Sequence, residues 1–160
     1  MTVKRYMKKC EEFAICSETG SAGDVFVDPA IDNRALYHIL IKGSGRGGFV
    51  FDSEYVEADA KDNNFHCKKE YLGKNLIFEA YEDYHIFGFC PLELSHDWSG
   101  RLVKESFDGE DGTWLICFDG KPVVNGKELQ RMDYARLENK RYEVELKDSV
   151  IGLFKRIEKL

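Results

Sequence analysis

The chain has 160 residues, 43% of them hydrophobic and 32% charged, which is typical of one compact globular domain. Its net charge of −6, from 23 basic and 29 acidic residues, argues against binding nucleic-acid phosphates through bulk charge. No apolar run approaches the ~20 residues that cross a bilayer, and basic residues stand where a signal peptide would need an apolar region. We therefore expect a soluble, cytoplasmic protein with no nucleic-acid or membrane partner.

The predicted elements are almost all β-strands. Residues 1–11 are expected to form an N-terminal arm or short helix, and residues 12–160 a single β domain. Gly, Asp and Asn separate short β-rich stretches, which indicates a sandwich or barrel. The predicted strands are 12–16, 35–42, 49–51, 76–81, 84–90, 101–107, 113–118, 122–124, 134–137, 141–146 and 150–157.

Residues 43–48, with the sequence GSGRGG, satisfy the GxGxxG pattern after a predicted strand. A dinucleotide-binding turn must open a helix, whereas this segment runs into Phe49-Val50-Phe51. The pattern instead predicts a flexible hairpin loop at the mouth of a barrel, with Arg46 as an anion contact. The acidic segment 52–62 that follows is expected to be an exposed excursion.

None of the four histidines has the HxH, HxxxH or HxxE spacing that would place two metal ligands on one face. The sequence therefore predicts no metal site and no cofactor. His38 and His85 each alternate with apolar residues, so both are expected to point into the sandwich, where Glu79 could join them in a polar patch. Two core histidines with satisfied hydrogen bonds would give the same pattern, and that arrangement is the commoner one.

The five cysteines are odd in number and show no CxxC spacing, so neither a disulfide framework nor a zinc ribbon is indicated. We expect reduced thiols with a structural role.

In the C-terminal half, Asp119-Gly120 and Asn125-Gly126 bracket Pro122-Val123-Val124 and predict two tight hairpins.

This C-terminal pattern resembles the second half of a cupin. The resemblance is carried by TWLICFDGKPVVNGKEL at 113–129, MDYARL at 132–137 and VIGLF at 150–154. It implies a double-stranded β-helix, or jelly roll, and a homodimer by family habit. We therefore predict an all-β, single-domain cupin-like jelly roll with a short N-terminal arm.

The resemblance also implies that the usual metal centre is absent. In metal-binding cupins an HxH pair and a glutamate precede the glycine that aligns with Gly120. Here residues 105–113 contain no histidine, Thr113 falls about where the glutamate belongs, and residues 137–146 contain no histidine either. The chain is similar to a divergent, metal-free member.

The leading functional hypothesis is a metal-free module that binds a small polar ligand, with a carbohydrate or nucleotide expected, or that engages another protein. An alternative is a metal-independent sugar epimerase or isomerase with His85 or His38 as general base and a tyrosine as acid. A third hypothesis is a structural or assembly protein. The candidate ligand contacts are His38, Glu79 and His85 as polar groups, Tyr81 or Tyr84 as a stacking surface, and Arg46 for an anion.

Overall fold

A computed structural model describes residues 4–28, 37–49, 56–60, 65–67, 76–92 and 97–157. These residues form strands and turns with no α-helix, so the all-β prediction is confirmed. Within these ranges no helix could span a membrane.

The chain divides into two compact units, residues 1–94 and 95–160. The predicted limits of one β domain, 12–160, stay a prediction. The strands of the first unit are β1 (Lys4–Lys9), β2 (Phe13–Gly20), β3 (Val25–Asp28), β4 (Tyr37–Lys42), β5 (Ser44–Phe49), β6 (Val56–Asp59), β7 (Phe65–Cys67), β8 (Leu76–Ala80) and β9 (Tyr84–Pro91). Those of the second are β10 (Asp97–Leu102), β11 (Phe107–Asp108), β12 (Thr113–Asp119), β13 (Val123–Val124), β14 (Lys127–Glu128), β15 (Tyr134–Arg136), β16 (Arg141–Tyr142), β17 (Val144–Glu145) and β18 (Val150–Ile157).

The first unit contains two antiparallel sheets. One has the strand order β1-β2-β9-β4-β7, and the other has the order β3-β8-β5-β6. Alternate residues of each sheet meet in a buried cluster, to which Leu40 and Ile86 come from the five-stranded sheet and Phe78 and Ala80 from the four-stranded sheet. Burial of these apolar side chains stabilises the packing of the two sheets against each other.

Two predictions for the first unit are wrong. The helical alternative for the N-terminal arm fails because Lys4–Lys9 is strand β1, which pairs with β2 along its whole length. The predicted flexible loop at 43–48 is largely strand β5, which lies between β8 and β6. A glycine is required at position 45 because an added Cβ would meet the Glu79 carbonyl oxygen and would lie 2.6 Å from Phe78 Cζ.

The acidic excursion predicted at 52–62 contains strand β6, and its residues 52–55 and 61–62 lie outside the described ranges. Strand β6 pairs with β5, so this part of the segment is built into a sheet. Glu57 within it is exposed, as expected for an acidic side chain.

The second unit is built around the sheet β10-β18-β12-β15, with a two-stranded sheet β11-β16 and a three-stranded sheet β14-β13-β17. One face of the larger sheet, with Leu115, Ile151 and Leu153, belongs to a buried core that also includes Phe107 and Tyr142.

The two predicted hairpins have different outcomes. Asn125 and Gly126 both adopt positive φ, 48° and 79°, and join the paired strands β13 and β14. This turn confirms its prediction. Asp119-Gly120 does not make a hairpin, because β12 and β13 belong to different sheets and the turn carries the chain from one to the other.

Candidate ligand-binding site

Three of the predicted contacts lie together on the outer face of the four-stranded sheet. Arg46 and Glu79 are register partners on β5 and β8, and Arg46 Nε donates to Glu79 Oε2 at 2.8 Å. Tyr81, 49% exposed, donates its hydroxyl to Glu57 Oε1 at 3.0 Å. The hydrogen bond to Glu79 raises the pKa of Arg46, so this cation is already engaged by an acidic neighbour. These residues form an exposed polar row.

His38 and Tyr84 belong to the five-stranded sheet. They lie on the face of that sheet that packs in the core of the first unit. Tyr84 is only 2% exposed, and its ring meets the ring of Phe78 edge-on at 5.3 Å. No described residue forms a hydrogen bond with its hydroxyl. Burial raises the pKa of Tyr84 to about 12, with Glu18 and Asp24 adding to the shift. Tyr84 is a core side chain that packs against Phe78.

His85 projects from the other face of the same sheet. It lies three positions before Gly88, the register partner of His38, and an odd offset along a strand places two residues on opposite faces. It is 6% exposed, and its Nε2 lies 2.7 Å from the hydroxyl of Ser17. Its ring packs 4.4 Å from that of Phe87. His85 therefore fits the commoner arrangement, a core histidine with a satisfied hydrogen bond.

The predicted residues therefore do not converge. Glu79 lies on an outer face, while His38 and His85 lie on opposite faces of one sheet, so the polar patch expected from these three side chains is wrong. The proposed role of each residue in ligand binding stays a prediction.

A different set of residues surrounds a cavity of about 200 Å³ in the second unit. Ser99, Lys155 and Thr113 are register partners across β10, β18 and β12, and therefore project to one face. All three line the cavity, as does Arg101 from the next row. The row brings two hydroxyl groups and an ammonium group to the same opening.

The floor of this cavity is apolar. Leu137 and Leu153 line it and belong to the buried core of the unit. Phe107 is 5% exposed, stacks on Tyr142 at 5.4 Å, and has the Arg101 guanidinium 5.8 Å from its centroid. A polar rim over an apolar floor is the usual arrangement of a small-molecule site.

The loop between β11 and β12 adds an acidic group to the rim. Glu110 accepts a hydrogen bond from Lys155 Nζ, and this contact lowers the pKa of the Glu110 carboxyl. The loop is held in place because the Thr113 N–H donates to the Glu110 carbonyl at 3.1 Å. Gly109 is required at its start, since an added Cβ would strike the Tyr142 ring and would lie 2.7 Å from the Glu138 carbonyl oxygen.

Sequence reasoning missed this cavity because its polar residues are scattered over three strands and a loop. The available signal was weak. Ser99 and Arg101 are alternate residues of β10, and Lys155 follows the apolar residues of strand β18. Only the register between these strands shows that the positions share a face.

The cavity does not fit a divalent metal ion. Among the described residues no group of three or more His, Cys, Asp or Glu could hold one. Thr113, at the place of the expected cupin glutamate, has Lys155 as its register partner, and an ammonium group repels a cation. The absence of a cofactor stays a prediction.

The fold has clear counterparts among solved structures. HutD from Pseudomonas fluorescens SBW25 superimposes with a TM-score of 0.64 at 10% identity, over 91% of this chain and 80% of that one. YhaK from Escherichia coli gives 0.62 at 10% identity, over 97% and 94%. A cupin 2 conserved barrel domain protein from Leptotrichia buccalis gives 0.51 at 11% identity, over 98% and 89%.

No protein-family model matches the chain, and neither does any curated protein. At this low identity the structural likenesses define the fold alone. The chain has the cupin jelly-roll fold, which confirms the fold predicted from its C-terminal half.

Proposed function

We propose that the protein is a cupin-fold module that binds a small polar ligand in the cavity of the second unit. The observation that supports it is the row of Ser99, Lys155 and Thr113 above an apolar floor, with Arg101 beside it. This row combines hydrogen-bond donors, acceptors and positive charge within a space of about 200 Å³.

The chemistry of the rim favours a sugar acid. Hydroxyl groups of Ser99 and Thr113 complement the hydroxyls of a carbohydrate, and Arg101 and Lys155 complement a carboxylate. Asp108 also lines the cavity, and its carboxylate is paired with a guanidinium outside the lining at 3.4 Å. A cavity of about 200 Å³ is smaller than the ~300–1,000 Å³ that larger ligands occupy, which favours a monosaccharide over a whole nucleotide.

Glu110 gives the site an internal competitor. Its carboxylate occupies Lys155, and 69% of the Glu110 side chain is exposed, so the loop side chain can turn away into water. A ligand carboxylate would take the place of Glu110 on Lys155. An exposed ion pair of this kind contributes little to stability, so the exchange of partners on Lys155 costs little free energy.

The test is titration of isotopically labelled protein with D-glucuronate and with D-glucose, read from backbone amide shifts. We expect glucuronate to shift the amides of Thr113 and Lys155 and to bind more tightly than glucose. Lys155→Met should weaken glucuronate binding by about tenfold or more, since it removes a charge-assisted hydrogen bond. Lys147→Met is the matched control, because Lys147 is an exposed lysine paired with Glu145 at 3.9 Å.

Two outcomes would contradict the proposal. Saturable glucuronate binding with shifts confined to the first unit would move the site elsewhere. Unchanged spectra with both sugars at millimolar concentration would reject a sugar acid as the ligand class.

The epimerase alternative has less support. Among the described residues no His or Tyr lines this cavity, and His38 and His85 lie on opposite faces of a sheet in the first unit. The molecular mass of the protein in solution distinguishes the assembly alternative from the expected homodimer. A large closed oligomer that binds neither sugar would favour assembly, and a dimer that binds glucuronate would favour the ligand-binding module.

A further inference from the structure

Two cysteines of the first unit lie side by side on neighbouring strands. Cys16 is on β2 and Cys90 on β9, and their Sγ atoms are 3.4 Å apart. The register pairs Cys16 with Gly88 and Cys90 with Ala14, so the two cysteines are diagonal neighbours on one face.

The local sequence favours this approach. Residue 88 is glycine, so Cys16 has no side chain directly opposite it on this face. Ala14, opposite Cys90, is the smallest residue that carries a Cβ. The thiols can therefore lean toward each other along the diagonal.

We propose that Cys16 and Cys90 are an oxidation site that a peroxide converts reversibly to an intramolecular disulfide. The Cys16 thiolate is the initial nucleophile because its side chain is part-exposed, whereas Cys90 is 8% exposed. It attacks one peroxide oxygen, the O–O bond breaks, and a sulfenic acid forms while the other oxygen leaves as water or an alcohol.

The second step closes the disulfide. The Cys90 sulfur attacks the Cys16 sulfur, the S–O bond breaks, and hydroxide leaves and takes up the Cys90 proton as water. Together the two thiols supply two electrons to the peroxide. The sulfurs must close from 3.4 Å to the ~2.05 Å of a disulfide. A dithiol reductant reverses the reaction.

Other cysteines provide internal controls. Cys117 is fully buried, and burial raises the pKa of its thiol to about 11, so it holds little thiolate at neutral pH. Cys10 is part-exposed and carries a free thiol. Unselective oxidation of accessible thiols would therefore modify Cys10. Oxidation at the proposed site would instead link Cys16 to Cys90.

The experiment treats the folded, reduced protein with hydrogen peroxide, blocks remaining thiols with an alkylating reagent, and maps peptides by mass spectrometry. We expect a linked Cys16–Cys90 peptide that is two hydrogens lighter than the separate peptides and is lost after dithiol reduction. Closing a loop between residues 74 apart should raise the melting temperature by about 5 °C or more. Cys16→Ser should abolish both effects, and Cys10→Ser should leave them.

The peptide map of the wild-type protein decides the question even if a variant does not fold. Cys16 and Cys90 that remain alkylated after peroxide treatment would overturn the proposal. Conversion of Cys16 to sulfinic acid, or linkage of either cysteine to a second molecule, would also overturn it.

Discussion

Arg101 and Arg136 offer a matched test of the ligand-binding cavity. Each guanidinium lies 5.8 Å from the centre of an aromatic ring, Arg101 over Phe107 and Arg136 over Trp114. Both side chains are exposed and come from the same sheet, but the register places them on opposite faces. Only Arg101 lines the cavity.

The two alanine variants should lose similar stability and differ in binding. An exposed cation–π contact contributes about 0.5–1 kcal/mol, so each variant should melt about 1–4 °C below the wild type. A hydrogen bond between Arg101 and a ligand carboxylate contributes about 1.5–3 kcal/mol. Arg101→Ala should therefore weaken glucuronate binding roughly 10- to 150-fold, while Arg136→Ala leaves it unchanged.

The assay is calorimetric titration with glucuronate and glucose at low and high salt, alongside thermal unfolding of each variant. Salt should weaken glucuronate binding to the wild type, because the rim charges are exposed, and should affect glucose little. Equal affinities for glucuronate in the Arg101→Ala and wild-type proteins would refute the reasoning. An equal loss in both variants would also refute it, since the effect would then not come from the cavity.

Three further predictions follow from single residues. Glu110→Gln should raise glucuronate affinity by up to about fivefold, because it removes the competitor for Lys155. The control Glu138→Gln, which breaks the exposed pair with Lys140, should leave the affinity unchanged. Equal titration curves for the two variants would contradict this prediction. Because the pKa of Tyr84 is raised to about 12 in the folded state from 10.0, the stability that its protonated form contributes is present below pH 10 and is lost as pH rises toward 12. Urea unfolding should show a loss of about 1 kcal/mol by pH 11 that Tyr84→Phe removes, and a pH profile shared by both proteins would reject the shift. Gly45→Ala should lower the free energy of unfolding by about 1–3 kcal/mol in the same assay, because the added Cβ meets the Glu79 backbone and the Phe78 ring. A urea midpoint equal to that of the wild type would show that the two strands move apart without cost.

Strand positions followed from local pattern where side chains alternate and turns are specified chemically. The final strand was predicted over 150–157 and is observed as Val150–Ile157. The Asn125-Gly126 turn was predicted because Asn and Gly tolerate positive φ. Such features depend on a few neighbouring residues and need no knowledge of the rest of the fold.

Glycine-rich strand β5 shows where local reasoning fails. Glycines favour turns by propensity, but in β5 a glycine is needed at position 45 so that the Phe78 ring can lie against the backbone. Packing between two strands has overridden the preference of the segment, and the sequence of β5 alone carries no sign of Phe78.

The amino-acid sequence by itself determined that the chain is all-β and that its C-terminal half resembles the cupin pattern. Only the tertiary structure decided which side chains meet. Alternation assigns the faces within one strand, but the register between strands decides which faces coincide. That register puts His38 and His85 on opposite faces and brings Ser99, Lys155 and Thr113 together. A site assembled across strands is a property of hydrogen-bonded pairing between distant segments, which no local pattern in the sequence specifies.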